Sequence, residues 1–198
     1  WLLVGSGPND WVQFRISDSI GCVAPLTMRT FSFPRELQGN PGRHVAIWQG
    51  ASGIYLFDGT SIIPIHLDIR DVFDGGINLT YIANSVGFMD HTMAEYHFIY
   101  AGLGSATLNK ELVYDLIRQK WYEVVRGSGK ELQFGMEVKD TKVNSYIYGS
   151  IDTGYMERLE NGTDFDGGNI VHEIQTGDIA VSDGKILYET EIRKIKLA

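Results

Sequence analysis

The chain has 198 residues and 22.2 kDa, room for one large domain or two small ones, and 43% hydrophobic residues place it with globular proteins. Its 17 Lys and Arg against 25 Asp and Glu give a net charge of −8 and a pI near 5.0, a poor match for a surface that wraps nucleic acid. Cys22 is the lone cysteine, which excludes an internal disulfide framework and a Cys-cluster zinc site.

The chain opens at Trp1 on an apolar stretch, Trp1-Leu2-Leu3-Val4. That reads as a start inside a fold and predicts a segment of a longer or processed protein. No signal-peptide pattern is visible, and no apolar run approaches the roughly 18–20 residues of a membrane helix. With 23 glycines, five prolines and 12% aromatic residues, the sequence predicts strands separated by tight turns.

The first predicted strand is Trp11 to Ser17, with Val12, Phe14 and Ile16 on one face and Gln13 and Arg15 on the other. His44 to Trp48 and Ile54 to Phe57 follow, joined by a turn over Gln49 to Gly53. Asp58-Gly59 is a hairpin signal, and Ser61 to His66 returns. Leu67 to Phe73 is the single helix candidate, with Ile69, Val72 and Phe73 on one side. Four strands then come in a row: Ser85 to Asp90, Glu95 to Tyr100, Glu111 to Leu116 and Lys120 to Val125. Four more follow: Glu131 to Val138, Val143 to Tyr148, Tyr155 to Glu160 and Ile170 to Gln175. Leu187 to Leu197 alternates and predicts a last strand.

This order contains a repeat. Trp48-Gln49-Gly50, Tyr100-Ala101-Gly102 and Tyr148-Gly149-Ser150 each close a second strand, at spacings of 52 and 48 residues. Each is followed by a third strand ending in an apolar-acidic pair: Phe57-Asp58, Tyr114-Asp115 and Leu159-Glu160. Four strands per repeat of about 40–50 residues is the pattern of β-propeller blades. The predicted fold is therefore all-β, a propeller segment of about three four-stranded blades. They would span roughly residues 11–66, 85–126 and 131–176, with 187–198 as a closing or linking strand. A β-sandwich built of meanders is the other fold this spacing permits. The innermost strands would be Ile20 to Ala24, Ser85 to Met89 and Leu132 to Met136. Gly21, Gly87 and Gly135 recur in them, as expected where backbones crowd near an axis. Closed propellers typically have about four to eight blades, so further residues or partner chains would have to complete a ring.

Three stretches carry a resemblance: Ile16 to Pro25 with its Gly21, Gly53 to Gly59 ending in Phe57-Asp58-Gly59, and Val113 to Tyr122 with Tyr114-Asp115 and Lys120-Trp121-Tyr122. In order and spacing they resemble the β-propeller structural proteins of tailed bacteriophages, of the neck, tail-nozzle or stabilisation type. The final Ile192-Arg193-Lys194-Ile195-Lys196-Leu197 is similar to a basic strand that such chains carry after the propeller units. The resemblance implies a virion component of tail or neck, made in the host cytoplasm, without catalysis and without a cofactor. It implies contacts with other tail or neck proteins and a homo-oligomeric ring. DNA would enter only as passing cargo, and an acidic channel wall would repel its phosphates.

Sites for chemistry are sparse. His44, His66, His91, His97 and His172 form no HExxH or HxH pattern, although Asp90 and Glu95 lie near His91 and His97 and could join them on a metal. Asp164-Phe165-Asp166-Gly167-Gly168 looks like part of a calcium loop, with Asp164, Asp166 and Asn161 as candidate ligands, but lacks the remaining EF-hand positions. Asp71 to Gly76 ends in the same Asp-Gly-Gly, and a turn with an Asp cap and a positive-φ glycine accounts for both. Asn78-Leu79-Thr80 and Asn161-Gly162-Thr163 match glycosylation sequons. The Asp-box of sialidase-type propellers, Gly-x-Ser-x-Gly, the phosphate loop and the full dinucleotide fingerprint are absent. Trp48, Tyr100, Trp121, Tyr122 and Tyr148 could line a sugar or peptide site, but blade-anchor positions favour packing. The other functional classes are a carbohydrate- or receptor-binding propeller for host adhesion and a propeller glycosidase, which needs two carboxylates about 5–9.5 Å apart.

Overall fold

The computed structural model describes residues 2–7, 9–33, 44–126, 129–139, 145–151, 153–159, 164–165 and 168–169. They belong to two compact units, Trp1–Asn161 and Gly162–Ala198. Among the described residues, the first unit is all-β apart from short helical turns, and the second contributes one short hairpin.

The first unit opens with a ribbon. β1 (Leu2–Val4) pairs antiparallel with β2 (Val12–Phe14), Leu3 opposite Gln13. Its turn is held by the Asp10 carboxylate, which accepts the N–H groups of Ser6 and Gly7 and the Ser6 hydroxyl. The hydrogen bond from the Ser6 hydroxyl, then those from the backbone, hold Asp10 below the usual carboxylate range.

Three meanders follow. β3 (Ala24–Ser32), β4 (His44–Gly50), β5 (Gly53–Phe57) and β6 (Ile62–Pro64) make the first sheet, in chain order. β7 (Val86–Asp90), β8 (Glu95–Tyr100), β9 (Lys110–Asp115) and β10 (Lys120–Val124) make the second. β11 (Leu132–Lys139), β12 (Ser145–Ile151) and β13 (Met156–Arg158) make the third. All neighbouring strands are antiparallel, and no sheet closes on itself among the described residues. In the second unit, β14 (Asp164–Phe165) and β15 (Gly168–Asn169) pair as a short hairpin.

The local chemistry of the turns explains these connections. Asp58 accepts the N–H groups of Thr60 and Ser61 while Gly59 takes φ 93°, a value that L side chains avoid. Asp115 does the same service for Ile117 and Arg118 at the β9–β10 turn. Burial raises the Asp115 pKa, but those two N–H bonds and the Arg118 guanidinium outweigh it and hold the carboxylate ionised.

The first strands of the three sheets lie in a row, β3 against β7 and β7 against β11. One face of the second sheet presents Met89, Tyr96, Phe98, Tyr100 and Leu112 to Phe31, Val45, Ile47 and Ile54 of the first. Its other face presents Val86, Phe88 and Ile99 to Leu132, Ile147, Ile151 and Leu159 of the third segment. Every residue of β7 is therefore buried. Each such large apolar side chain contributes about 1.5–3 kcal/mol relative to exposure.

Tyr96 shows how tightly the first junction is set. It is 0% exposed, and its hydroxyl donates to the Thr27 carbonyl of β3 at 2.9 Å. Desolvation drives its pKa far above the ordinary phenol value. Tyr96→Phe is expected to cost about 1–2 kcal/mol, because the Thr27 carbonyl loses a buried donor. Urea unfolding of the variant checks this, and an unchanged midpoint with an unchanged slope would contradict it.

Several sequence expectations change. The strand around Val12 was expected to lead into the first four-stranded unit, but it pairs with β1 in a separate ribbon. The first strand of that unit was expected over Ile20 to Ala24 and lies over Ala24–Ser32. The reason is a pairing shift between Ala24 and Arg29. Thr27 turns inward there, donating to the Ala24 carbonyl at 2.6 Å and accepting the Gln49 N–H at 2.9 Å. This bulge breaks the period-two alternation by which a strand is read. Gly87 and Gly135 sit in crowded first strands as expected, whereas a Cβ on Gly21 would meet nothing within 4 Å.

The helix expected over Leu67 to Phe73 is two pieces: a 3-10 turn at Leu67–Ile69 and a wide turn at Val72–Gly76 closed by Ile77 N–H to Val72 O at 2.7 Å. Asp71 does not cap it, and Gly75 is extended at φ 176°, so the expected Asp-capped, positive-φ turn is not formed. A 3-10 turn over Leu79–Asn84 was not expected; the Asn78 side chain caps it by accepting the Thr80 N–H. The strands expected at Ile170 to Gln175 and Leu187 to Leu197 lie outside the described residues.

Candidate functional site

The most developed polar constellation lies on the face of the second sheet that meets the third. Glu111 on β9 is opposite Ile99 of β8 and Val124 of β10. Two residues past Val124, on the same side by strand alternation, comes Arg126. Its guanidinium grips the Glu111 carboxylate with Nε at 2.6 Å and a second nitrogen at 3.0 Å. His97 of β8, one pair along on the same face, reaches the same carboxylate through Nδ1 at 2.8 Å. The side chains of His97, Glu111 and Arg126 are 3%, 4% and 9% exposed, so this ion cluster is buried.

Burial alone would raise the Glu111 pKa. The hydrogen bonds from His97 and Arg126 and the charge of Arg126 outweigh it, leaving the pKa below the usual carboxylate range. The His97 ring stacks on Phe88 at 4.2 Å, and its Nε2 has no hydrogen-bond partner among the described residues. A cleft of about 180 Å³ opens beside the cluster, lined by Lys110, Glu123, Val125, Arg126 and Glu131 among others. Glu123 in that cleft holds the Lys110 ammonium at 2.9 Å. An ionised carboxylate saturated by a guanidinium has no proton to give and few free lone pairs. As a general acid near neutral pH it is unsuited.

The residues singled out by sequence are dispersed. His44 meets the Ser32 hydroxyl, and His66 meets the Ile54 carbonyl through Nδ1 at 3.0 Å. His91 pairs with Glu137, whereas Asp90 caps the Thr92 and Met93 N–H groups and Glu95 accepts from the Tyr122 hydroxyl. The expected neighbours Asp90, His91, Glu95 and His97 thus do not converge. Among the described residues, no three His, Cys, Asp or Glu side chains form a metal cluster. Of the calcium candidates, Asp164 falls in β14, while Asn161 and Asp166 lie outside the described residues, as does His172. At the first sequon, the Asn78 amide nitrogen donates to the Ser105 carbonyl at 2.8 Å and is half-buried.

The aromatic anchors separate into packing and surface. Trp48 and Tyr100 are buried, and desolvation pushes the Tyr100 hydroxyl up to about 12. Trp121 lies tilted against Tyr114, ring centroids 4.9 Å apart, and donates its indole N–H to the Ile65 carbonyl at 2.6 Å, tying the outer edge of the second sheet to the segment after β6. Tyr122 is exposed, and Tyr148 is half-buried.

Sequence reading missed the Glu111–Arg126–His97 cluster. The signal was available in the hairpin register, since Lys120 opposite Asp115 fixes Val124 opposite Glu111 and carries Arg126 to the same side. No helix among the described residues is long and apolar enough to cross a membrane. No protein-family model matches the chain, and no curated protein matches it.

Proposed function

We propose that this chain is a non-enzymatic structural component of a bacteriophage tail or neck, a segment of a β-propeller that works by docking. The observation that carries the reading is the row of first strands, β3 beside β7 beside β11, each starting its own antiparallel meander. Sheets arranged about a hub bury both faces of every inner blade, and the second sheet is buried on both faces. The sequence resemblance supplies the virion context. The chemistry of the polar cluster supports a role without turnover, because its carboxylate is neutralised by Arg126.

In this reading the partners are other tail or neck proteins and copies of the same chain in a ring. DNA is passing cargo, and a net charge of −8 disfavours its adhesion. The protein is made in the host cytoplasm and ends in the virion, with no cofactor.

Purified particles provide the test. Quantitative mass spectrometry is expected to find the chain in the particle fraction at several copies per particle, and the isolated chain is expected to leave duplex DNA unshifted at low salt. Absence from particles, tight salt-dependent DNA binding, glycan capture or turnover of a glycoside would each overturn the reading.

A further inference from the structure

The three first strands are tied together where they end as well as along their length. β7 stops at Asp90, and the next residue, His91, stands between both neighbours of that strand. Toward the first sheet, its ring stacks on Phe31 of β3, with centroids 5.6 Å apart and planes 26° from parallel. Toward the third sheet, its Nδ1 donates to the Glu137 carboxylate of β11. The other Glu137 oxygen accepts the Ser145 hydroxyl of β12. The Glu137 side chain is only 10% exposed, the His91 side chain 48%. Of the two partners of this nearly buried carboxylate, a hydroxyl and an imidazole, the imidazole is the one that can carry a positive charge.

The other titratable and charged groups around the pair are engaged elsewhere or stand aside. Asp90 caps the Thr92 and Met93 N–H groups, and Glu95, paired with Asp90 across the turn, accepts from the Tyr122 hydroxyl. On the first sheet, Arg29 turns to the Met28 carbonyl and His44 meets the Ser32 hydroxyl at 2.7 Å. On β11, Lys139 follows Glu137 on the same side by alternation and is exposed.

We propose that His91 is a proton-operated clasp at the joint of the second and third sheets. Histidine changes its charge between about pH 5 and 8. Neutral His91 gives Glu137 a hydrogen bond alone. Its half-exposed ring takes protons from solvent, and the imidazolium then sets a full charge against a carboxylate that little water screens. The same charge lies over the face of the Phe31 ring, which attracts cations. The joint between β7 and β11 therefore tightens as the surroundings turn from weakly alkaline to weakly acid, and loosens as pH rises again. In more strongly acid solution, where carboxylates take up protons, the charge pair is lost. The clasp stands on the packing of the three sheets and is independent of the virion reading.

His91→Asn tests it, because an amide keeps a donor near the Nδ1 position and does not titrate. Urea unfolding of parent and variant is compared at about pH 5.5 and about pH 8, once with Glu137 intact and once with Glu137→Gln. The advantage of His91 over Asn, as a ratio of unfolding equilibrium constants, is expected to grow about two- to five-fold at the lower pH, the range of a partly screened ion pair. With Glu137→Gln it is expected not to change. His44, His66 and His97 are common to each pair compared and cancel. A pH-independent advantage overturns the clasp, and so does a growth that survives Glu137→Gln. Should His91→Asn not fold, hydrogen exchange decides. Backbone amides of β11, corrected for the intrinsic effect of pH, are expected to gain protection at the lower pH in the parent but not in Glu137→Gln, and equal behaviour of the two overturns the proposal.

Discussion

Arg126→Met is expected to destabilise the protein by about 3–5 kcal/mol, the range for breaking a buried ion pair and stranding its partner. The stranded group is Glu111, 4% exposed and left with the single neutral or charged donor of His97. Replacing both charges, Glu111→Leu with Arg126→Met, is expected to recover most of that loss, since a matched apolar pair avoids the desolvation of two ions. Urea midpoints of the three proteins measure the effect, and a single variant within about 1 kcal/mol of the parent would refute it. The cluster also carries a pH signature. The folded pKa of Glu111 is depressed, so its contribution is complete above the ordinary carboxylate pKa near 4.3. It is lost as pH falls from there through the folded value. The stability gap between the parent and Arg126→Met should therefore narrow as pH falls through the acid range, where Glu111 is protonated in both proteins.

The second large effect concerns the junction of the second and third sheets. Phe88 is 2% exposed, stacks on His97 and occupies the space that a side chain at Gly135 would need. Phe88→Ala is expected to cost about 3–5 kcal/mol from lost burial and the cavity left behind. Gly135→Ala is expected to cost about 1–3 kcal/mol by overpacking. Together the two should be less damaging than their sum, because the added methyl enters the space the ring has vacated. A double-mutant cycle is expected to give a coupling of about 1 kcal/mol or more, and strict additivity would mean that β7 and β11 do not touch at this point.

Much of the second sheet was legible because its strands obey simple rules. Glu95–Tyr100 is found with the expected bounds, and Val86–Asp90 and Lys120–Val124 each differ by one residue. Its turns announce themselves through Asp115 and the residues it caps. β3 was hidden for the opposite reason. Thr27, a polar residue, is fully buried there, while Leu26 and Met28 face out, so hydrophobicity pointed the wrong way. The helical turns after His66 were partly hidden because neither has the length that gives a 3.6-residue period room to show. The polar cluster was invisible to motif reading because His97, Glu111 and Arg126 come together only through pairing across three strands. A motif reports neighbours along the chain, and these three are neighbours across it.

Each meander is made of segments consecutive in the chain, and some of its connections are tight turns, Asp58 to Ser61 and Leu116 to Gln119 among them. Closing such short loops forfeits little chain entropy. A growing polypeptide leaving the ribosome can thus finish one sheet before the next has been synthesised. The later-made sheet then finds a finished template beside it, and errors of strand order stay confined to the stretch in which they arise.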